Sequence, residues 1–125
     1  MTRAAGLSQT QGRIAAGMTE RDLQANIVKL AGYLGYRVYH TYDSRRSDKG
    51  WPDLALAKTG RFLVIEVKRE DGHISTEQAG WLLALDRAGV ETHVFRPSQW
   101  LDNTIQEVLM LPCRPVMARR DVRDY

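Results

Sequence analysis

Apolar residues recur at helical spacing in three segments of the chain, and a residue that commonly caps helices opens each of them. Thr19 precedes the first segment, and Ser98 opens the third. Ser75 and Gln78 form an S-x-x-Q capping box at the start of the second. The predicted helices cover residues 20–34, 75–89 and 98–111.

Four other segments are rich in β-branched and aromatic residues and lie between glycine, proline or charged stretches, which is typical of strands. The predicted strands cover residues 36–42, 53–57, 62–68 and 90–96. The two middle strands flank residues 58–61, a four-residue connection with a glycine that indicates a β-hairpin. A hairpin combined with an alternating strand–helix–strand unit predicts an α/β fold, in which a mixed β-sheet is flanked by helices as an αβββαβ core plus a C-terminal helix.

Apolar residues do not recur at a regular spacing at either end of the chain. Residues 1–18 are rich in Gly, Ala, Gln and Arg and are interpreted as a flexible arm, and residues 112–125 as a basic tail. Residues 19–111 then form one domain, since 125 residues with 43% hydrophobic content suffice for a single core. No segment approaches the roughly 20 apolar residues that span a bilayer, and the first residues lack the apolar run of a secretory signal.

Charge and cysteine content narrow the classes of function. The net charge of +3 is compatible with a polyanionic partner, although many basic proteins bind no nucleic acid. Cys113 is the only cysteine, which excludes an intrachain disulfide and a zinc site built from cysteines. A reducing cytoplasm fits this cysteine content.

The predicted strand over residues 62–68 reads F-L-V-I-E-V-K, with charge at one end only. Both of its faces begin apolar, which predicts a central strand that is buried on both sides. Glu66 and Lys68 share one face at its far end, because strand side chains alternate with a period of two. Buried charges are costly without partners, so we expect other groups to pair with the two charges at this end of the strand.

The hairpin provides a partner for Glu66. If Ala57 pairs with Phe62, Asp53 lies directly opposite Glu66, with their Cβ atoms roughly 4.5–5.5 Å apart. Two carboxylates at that distance repel each other unless a proton or a cation lies between them, and Mg²⁺ takes oxygen ligands. A slip of one residue in the register would undo this inference, and an E-x-K triplet by itself is commonly a surface ion pair.

Pro52-Asp53 followed by Glu66-Val67-Lys68 resembles the motif of the PD-(D/E)XK nuclease superfamily. The wider spacing resembles its VRR-NUC branch, the virus-type replication-repair nucleases, in the stand-alone form found in phages and bacteria. The resemblance covers about residues 19–109 and implies a restriction-endonuclease-like fold. Further residues that agree with this pattern are, in chain order, Glu20, Gly50, Trp51, Gly72, Ser75, Gln78, Trp81, Leu82, Leu85 and Gly89.

The resemblance implies that two carboxylates and a lysine form the active centre. Asp53 and Glu66 would bind a divalent metal, helped by the backbone carbonyl of Val67. Lys68 would position or activate the attacking water and offset charge on the phosphate. The cofactor would be Mg²⁺ or Mn²⁺, because all of the proposed ligands are oxygen atoms. Such a metal can polarise the phosphate and lower the pKa of bound water.

Two further residues have competing interpretations. The resemblance implies that Glu20 reaches the metal directly or through water, but a carboxylate in the first turn of a helix also compensates the helix dipole. It implies that Gln78 contacts the active site or the scissile phosphate, but Gln78 also occupies the third helical position of its capping box.

Basic residues before the Pro-Asp motif are candidates for DNA contact. Arg45, Arg46 and Lys49 are crowded into one stretch that should flank the site, although such a cluster taken alone is commonly a solvated surface. Ser75, at the start of the second predicted helix, is the fourth candidate for DNA binding.

The function that the resemblance implies is that of a metal-dependent endodeoxyribonuclease, which hydrolyses phosphodiester bonds. The resemblance implies homodimers that act on branched DNA such as Holliday junctions or flaps, in the cytoplasm of a bacterium or a phage-infected host cell. The helix over residues 98–111 is the candidate dimer surface, because its apolar stripe lies beyond the core unit. The alternatives are a catalytically silent nucleic-acid-binding module and a PD-(D/E)XK nuclease with a restriction-type or RNA substrate.

Overall fold

Four strands form a mixed sheet in the computed structural model, which describes residues 6–41, 48–116 and 120–124. In spatial order they are β1 (Arg37–His40), β2 (Leu54–Lys58), β3 (Arg61–Val67) and β4 (Glu91–Phe95). The β1–β2 and β2–β3 pairs are antiparallel, whereas β3 and β4 are parallel. The helices are α1 (Gln9–Gly17), α2 (Glu20–Tyr33), α3 (Thr76–Arg87), α4 (Pro97–Leu101) and α5 (Thr104–Leu109), and Val122–Asp124 form a 3₁₀ turn.

This architecture confirms the predicted α/β class and its mixed sheet with flanking helices. β3 lies between β2 and β4, and its residues 63–67 are all buried. The strand is therefore central and buried on both faces, as its sequence predicts. In the part of the chain that the structure describes, no helix is long and apolar enough to cross a membrane.

One face of the sheet holds the apolar core. Side chains of α2 and α5 pack there against alternate residues of β3 and are removed from solvent. The residues are Leu23 and Ile27 of α2, Leu63, Ile65 and Val67 of β3, and Ile105 and Leu109 of α5. Burial of one such side chain contributes about 1.5–3 kcal/mol, so this layer anchors the strand that carries Glu66.

α3 covers the opposite face less completely. None of its residues, all of which the structure describes, is buried, and Leu83 is about half exposed. Phe62, which lies on this face at the start of β3, is also about half exposed. The first turn of α3, in contrast, meets the open end of the β2–β3 hairpin, where the candidate active site lies.

The β2–β3 hairpin has the register that the sequence predicts, because Ala57 pairs with Phe62. The ladder keeps this register to the open end of the hairpin. One step further along it, Asp53 is the position opposite Glu66. The register inferred from the sequence is therefore confirmed from the Lys58–Arg61 pair to the Leu54–Ile65 pair.

The beginning of the predicted basic tail is docked on the turn of this hairpin. The N–H of Arg114 donates to the carbonyl oxygen of Gly60 at 3.0 Å. Gly60 has a φ of 84°, and a Cβ atom there would lie 2.1 Å from the carbonyl oxygen of Arg114. Gly60 is therefore required both by the turn and by the close approach of the two segments.

Part of the predicted flexible arm is a helix. Residues 9–17 form α1, and Ser8 and Gln11 close a capping box at its start. Ala15 is buried, and the helix packs against α4. The prediction of an arm over residues 1–18 is wrong for this stretch, because alanine and glycine give a helix little apolar periodicity even where it packs against a neighbour.

The predicted C-terminal helix over residues 98–111 is two shorter helices. The first, α4, begins with Pro97, a residue that is favoured at the first helical position. Asn103 has a left-handed φ of 68° and separates α4 from α5. The carboxylate of Asp102 accepts the N–H of Thr104 at 2.9 Å and so satisfies one of the free donors at the start of α5.

The apolar stripe of this region faces the core of its own chain. Ile105 and Leu109 of α5 are fully buried against α2 and β3. Ile105 and Leu109 are therefore not available to a second subunit, and a dimer surface on the rest of residues 98–111 stays a prediction.

Candidate active site

Two carboxylates and a lysine lie together at the carboxyl end of β3. Glu66 is buried, with 2% of its surface exposed. Asp53 precedes β2, and its Oδ2 atom accepts the backbone N–H of Val67 at 2.8 Å, which holds it beside the end of β3. Lys68 follows the strand, with Nζ 3.7 Å from Oε2 of Glu66. The structure thus brings together the three residues at the centre of the sequence prediction.

The two carboxyl groups have raised pKa values. Burial raises the pKa of Glu66 to about 8, the charge of Asp53 adds to the increase, and Lys68 opposes it. Burial also raises the pKa of Asp53, against the hydrogen bond from Val67. The pair therefore retains a proton near neutral pH unless a cation takes its place.

Gln78 serves as a helix cap and as a partner of Glu66 at the same time. Its Oε1 atom accepts the N–H of Ser75 at 2.9 Å, and its own N–H donates to the Ser75 hydroxyl oxygen at 3.1 Å. Its Nε2 atom donates to Oε2 of Glu66 at 2.7 Å. The two interpretations of Gln78 are therefore compatible, because an amide side chain has both an acceptor and a donor end.

Glu20 lies close to the carboxylate pair without completing a cluster. It stands in the first turn of α2, and its Oε2 atom accepts the N–H of Arg69 at 3.4 Å. Its charge contributes to the raised pKa of Asp53. In the ranges that the structure describes, no three His, Cys, Asp or Glu side chains are arranged to hold a metal. The role of Glu20 at the metal, directly or through water, therefore stays a prediction.

The donor set at the end of β3 fits a hard divalent cation. Asp53 and Glu66 offer carboxylate oxygens, and their pKa values are raised by burial even though Lys68 lies beside them. Mg²⁺ commonly binds through one or two carboxylates and keeps several waters. Two carboxylates with a backbone carbonyl nearby are therefore a sufficient donor set for Mg²⁺ or Mn²⁺.

Two of the four candidate residues for DNA contact lie in the part of the chain that the structure describes. Lys49 is exposed over 83% of its side chain and lies 3.4 Å from Oε1 of Glu77. Ser75 is the N-cap of α3, beside Gln78 and hence beside the carboxylate pair. Arg45 and Arg46 lie outside the described residues, so their contacts stay predictions.

Gly50 allows the segment before Asp53 to pack directly on α3. Its φ is 89°, and a Cβ atom there would lie 2.5 Å from the carbonyl carbon of Glu77 and 2.7 Å from the backbone nitrogen of Gln78. The rings of Trp51 and Trp81 add an edge-to-face contact, with centroids 4.9 Å apart. These contacts set the distance across which Gln78 reaches Glu66. The sequence marks Gly50 as part of a motif, but the reason for a glycine appears only in the fold.

Gly50→Ala is expected to lower the free energy of unfolding by about 1–3 kcal/mol, because alanine is strained at a positive φ and its Cβ would collide with backbone. Gly80→Ala, on α3, is the control, since a Cβ there meets nothing within 4 Å. The control is expected to be as stable as the wild type or more stable by up to about 1 kcal/mol. Urea denaturation measures both, and equal stabilities of the two variants would contradict the close packing at Gly50.

A mixed sheet whose central strand ends in a buried carboxylate, beside a second carboxylate and a lysine, defines the class of α/β proteins with a nuclease-like fold. The chain belongs to the VRR-NUC family, since the model of the VRR-NUC domain matches residues 7–99. The match begins before residue 19 and includes α1. Membership of this family implies a nuclease-type function and an interaction with DNA.

A solved structure described as a VRR_NUC domain protein shares this fold. The two structures superpose with a TM-score of 0.63, over 79% of this chain and 94% of the other, and 18% of the residues are identical. Identity at this level supports the fold alone. No curated protein matches the chain.

Proposed function

We propose that this protein is a metal-dependent endonuclease that hydrolyses phosphodiester bonds in DNA. The observation that carries the proposal is the cluster of Asp53, Glu66 and Lys68 at the carboxyl end of β3. Burial of two carboxylates against each other disfavours their charged forms, which is costly for a purely structural arrangement. A cation-binding active centre accounts for it, since strongly perturbed pKa values cluster at such sites.

Mg²⁺ or Mn²⁺ is the proposed cofactor. Asp53, Glu66 and the backbone carbonyl of Val67 would hold it, and Glu20 would reach it directly or through water. A cation bound there would supply the Lewis acid that polarises the phosphate and lowers the pKa of bound water.

The side chains around Glu66 suit the other requirements of the reaction. Lys68 is 12% exposed and presents a positive charge at the edge of the pair, where it can stabilise charge on a phosphate or orient water. Gln78 holds the carboxylate of Glu66 in one orientation while its own amide is fixed by the helix cap. A carboxylate held in this way is preorganised for binding a cation.

Phosphate contacts outside the centre are assigned to Lys49, Ser75, Arg45 and Arg46. Lys49 is available for such a contact, because its ion pair with the exposed Glu77 is screened by solvent and holds it only weakly. Ser75 lies at the N-terminus of α3, where backbone N–H groups favour an anion. The net charge of +3 favours the approach of a polyanion.

Branched DNA, such as a Holliday junction or a flap, is the proposed substrate class, and a homodimer is the proposed active form. The support is the resemblance of the sequence to stand-alone nucleases of this kind, together with the symmetry of a two-fold dimer, which presents two sites to two strands. The proposed compartment is the cytoplasm of a bacterium or a phage-infected host cell, where such DNA arises.

A panel of labelled substrates tests the proposal. Purified protein is incubated with four-way junction, flap, single-stranded and linear duplex DNA, each with Mg²⁺, Mn²⁺ or EDTA. Metal-dependent cutting is expected, with branched substrates cut at least about tenfold faster than linear duplex, a difference of about 1.4 kcal/mol in activation free energy. Equal rates on all substrates would contradict the preference for branches, and cutting in EDTA would contradict the cofactor. Folded protein that cuts no DNA would contradict the function itself.

Sedimentation velocity at the assay concentration tests the active form. The protein is expected to sediment as a dimer, because a two-fold dimer can cut a junction on two paired strands. A protein that sediments as a monomer at a concentration where it cuts junctions would contradict the homodimer while leaving the nuclease in place.

A further inference from the structure

The chain leaves β3 through a tight turn (residues 69–72, the post-β3 turn) that directly follows Lys68. The N–H of Gly72 donates to the carbonyl oxygen of Arg69 at 3.1 Å, which closes the turn. The N–H of Lys68 donates to the carbonyl oxygen of Phe95 at 3.0 Å and extends the pairing with β4 by one residue. The orientation of Lys68 therefore depends on how the post-β3 turn is held.

Arg96 holds the carbonyl groups of the post-β3 turn. Its Nη1 atom donates to the carbonyl oxygens of Arg69 at 2.8 Å, Gly72 at 2.7 Å and Glu70 at 3.3 Å. One charged nitrogen thus meets three carbonyl groups of the same turn, much as a bound cation meets a ring of carbonyls. Hydrogen bonds from a charged donor are about twice as strong as those between neutral groups.

The fold brings Arg96 to the post-β3 turn for a local reason. β3 and β4 are parallel, so their carboxyl ends lie at the same edge of the sheet. Pro97 restricts the residue before it to extended backbone, and Arg96 has φ −124° and ψ 158°. Arg96 therefore leaves β4 beside the turn that leaves β3.

Two carboxylates hold the same turn from other directions. The carboxylate oxygens of Glu70 accept the N–H of Ser98, in the first turn of α4, at 3.2 and 3.3 Å. Glu20 accepts the N–H of Arg69 at 3.4 Å. A displacement of the post-β3 turn would therefore affect both Lys68 and Glu20, which belong to the proposed active centre.

From these contacts we propose that Arg96 is a positioning residue, which sets Lys68 through the backbone of the post-β3 turn. Removal of the guanidinium would leave three carbonyl groups without their charged donor and allow the turn to shift. A displacement of about 1 Å at a catalytic group can slow a reaction about a hundredfold. The proposal rests on the proposed function and extends it to a residue that touches neither carboxylate of the pair in the contacts described above.

Arg96→Met removes the guanidinium and keeps much of the aliphatic chain. Arg87→Met is the matched control, since it removes the same charge from an exposed position at the last turn of α3. With a DNA that the wild type cuts, Arg96→Met is expected to lower kcat by about tenfold to a hundredfold and to leave KM within about twofold. The control is expected to change neither constant. A raised KM with unchanged kcat would overturn the proposal and indicate a DNA contact instead. Kinetics equal to those of the control would also overturn it.

Nuclear magnetic resonance of the Lys68 ammonium separates this proposal from the proposed function, because it requires no cleavage. The ¹⁵N relaxation of Nζ is expected to show an ordered ammonium in the wild type and in Arg87→Met, and a mobile one in Arg96→Met. This result in a protein that cuts no DNA would uphold the positioning role and overturn the nuclease function. An ordered Lys68 in folded Arg96→Met would overturn the positioning role.

Arg96→Lys keeps the test decisive if Arg96→Met does not fold. Lysine retains a charged donor but lacks the planar fork of the guanidinium, so it is expected to recover part of kcat and part of the order at Lys68. Circular dichroism checks that the variant is folded. A folded Arg96→Lys with the kcat and Lys68 order of the wild type would show that the three carbonyl contacts need only a positive charge, and would overturn the assignment to the guanidinium.

Discussion

Glu66→Gln is expected to slow DNA cleavage by about a thousandfold, because loss of one electrostatic group at a reaction centre costs about 10²–10³ in rate and, in the proposed function, this group would also bind the cation. Glutamine preserves the shape of the side chain and can still accept the hydrogen bond from Gln78. It lacks the negative charge that the proposed site needs. The rate is measured in single turnover with saturating Mg²⁺ on a labelled four-way junction.

Asp86→Asn is the control for this substitution, because it removes one negative charge from an exposed position on α3. It is expected to cut at the wild-type rate. Cleavage by Glu66→Gln within about tenfold of the wild type would contradict a role in holding the cation, since such a ligand acts at the reacting centre.

The same substitution is expected to change how the stability of the metal-free protein depends on pH. Burial raises the pKa of Glu66 in the folded protein to about 8, from an ordinary value of 4.5. The folded state then binds this proton more tightly than the unfolded state, so the stabilisation is complete below pH 4.5 and is lost as the pH rises through 8. Urea denaturation in EDTA should show a steeper loss of stability over this range in the wild type than in Glu66→Gln. Parallel curves would contradict the raised pKa.

Arg61→Met is expected to lower the free energy of unfolding by about 3 kcal/mol. Its Nε and Nη2 atoms donate to the two oxygens of Glu91 at 3.0 and 2.6 Å, and Nη1 donates to the hydroxyl of Tyr36 and the carbonyl of Val108. The Arg61 side chain is 7% exposed and that of Glu91 34%. Breaking a buried pair costs about 3–5 kcal/mol, and the lower end applies because Glu91 is partly solvated.

Arg37→Met, on the exposed edge of β1, is the control for Arg61→Met and is expected to change stability by less than about 0.5 kcal/mol. Glu91→Gln added to Arg61→Met should recover part of the loss, because it removes a carboxylate that has lost its guanidinium and retains, among the described residues, only the contact with Nε2 of His93 at 2.6 Å. Urea denaturation of the wild type and of these three variants gives the free energy of unfolding of each. If Arg61→Met were as stable as Arg37→Met, the ion pair would contribute nothing to the fold.

The β2–β3 hairpin shows which features of this fold are predictable from the sequence. The alternation of side chains in residues 62–68 sets the two faces of β3, and the short connection containing Gly60 sets the register. Both are local properties of the chain. Once the register is known, the position of Asp53 opposite Glu66 follows by counting along the two strands.

Other features of the fold depend on packing between distant segments. α1 contains few large apolar residues, so its sequence shows no stripe, yet the capping box and the contact with α4 suffice to form it. The apolar period continues across Asp102 and Asn103, so it hides the break between α4 and α5. Asparagine adopts the left-handed conformation at such breaks, but it is too common at other positions for its presence in a sequence to predict one.

The sequence identifies the residues of the candidate site better than it identifies the residues that hold them. Gly50 is visible as part of a motif, but the need for a glycine arises from the backbone of Glu77 on another element. Arg96 precedes a proline at the end of a strand, and its three carbonyl partners lie 24 to 27 residues earlier in the chain. The strand–helix–strand pattern predicts the parallel pairing of β3 and β4, but no local pattern shows which side chain reaches the turn at their common edge.

Cleavage of a labelled four-way junction by the wild type and by Lys68→Ala, side by side with Mg²⁺, is the most direct test of an active centre at Asp53, Glu66 and Lys68. The expected result is metal-dependent cutting by the wild type and a loss of about a thousandfold in the variant, because one electrostatic group at the reacting centre is worth about that much. Gel-shift binding in EDTA should remain within about threefold, since a single phosphate contact contributes little to the total affinity. Equal cutting by both folded proteins, or none by either, would contradict an active centre at these residues.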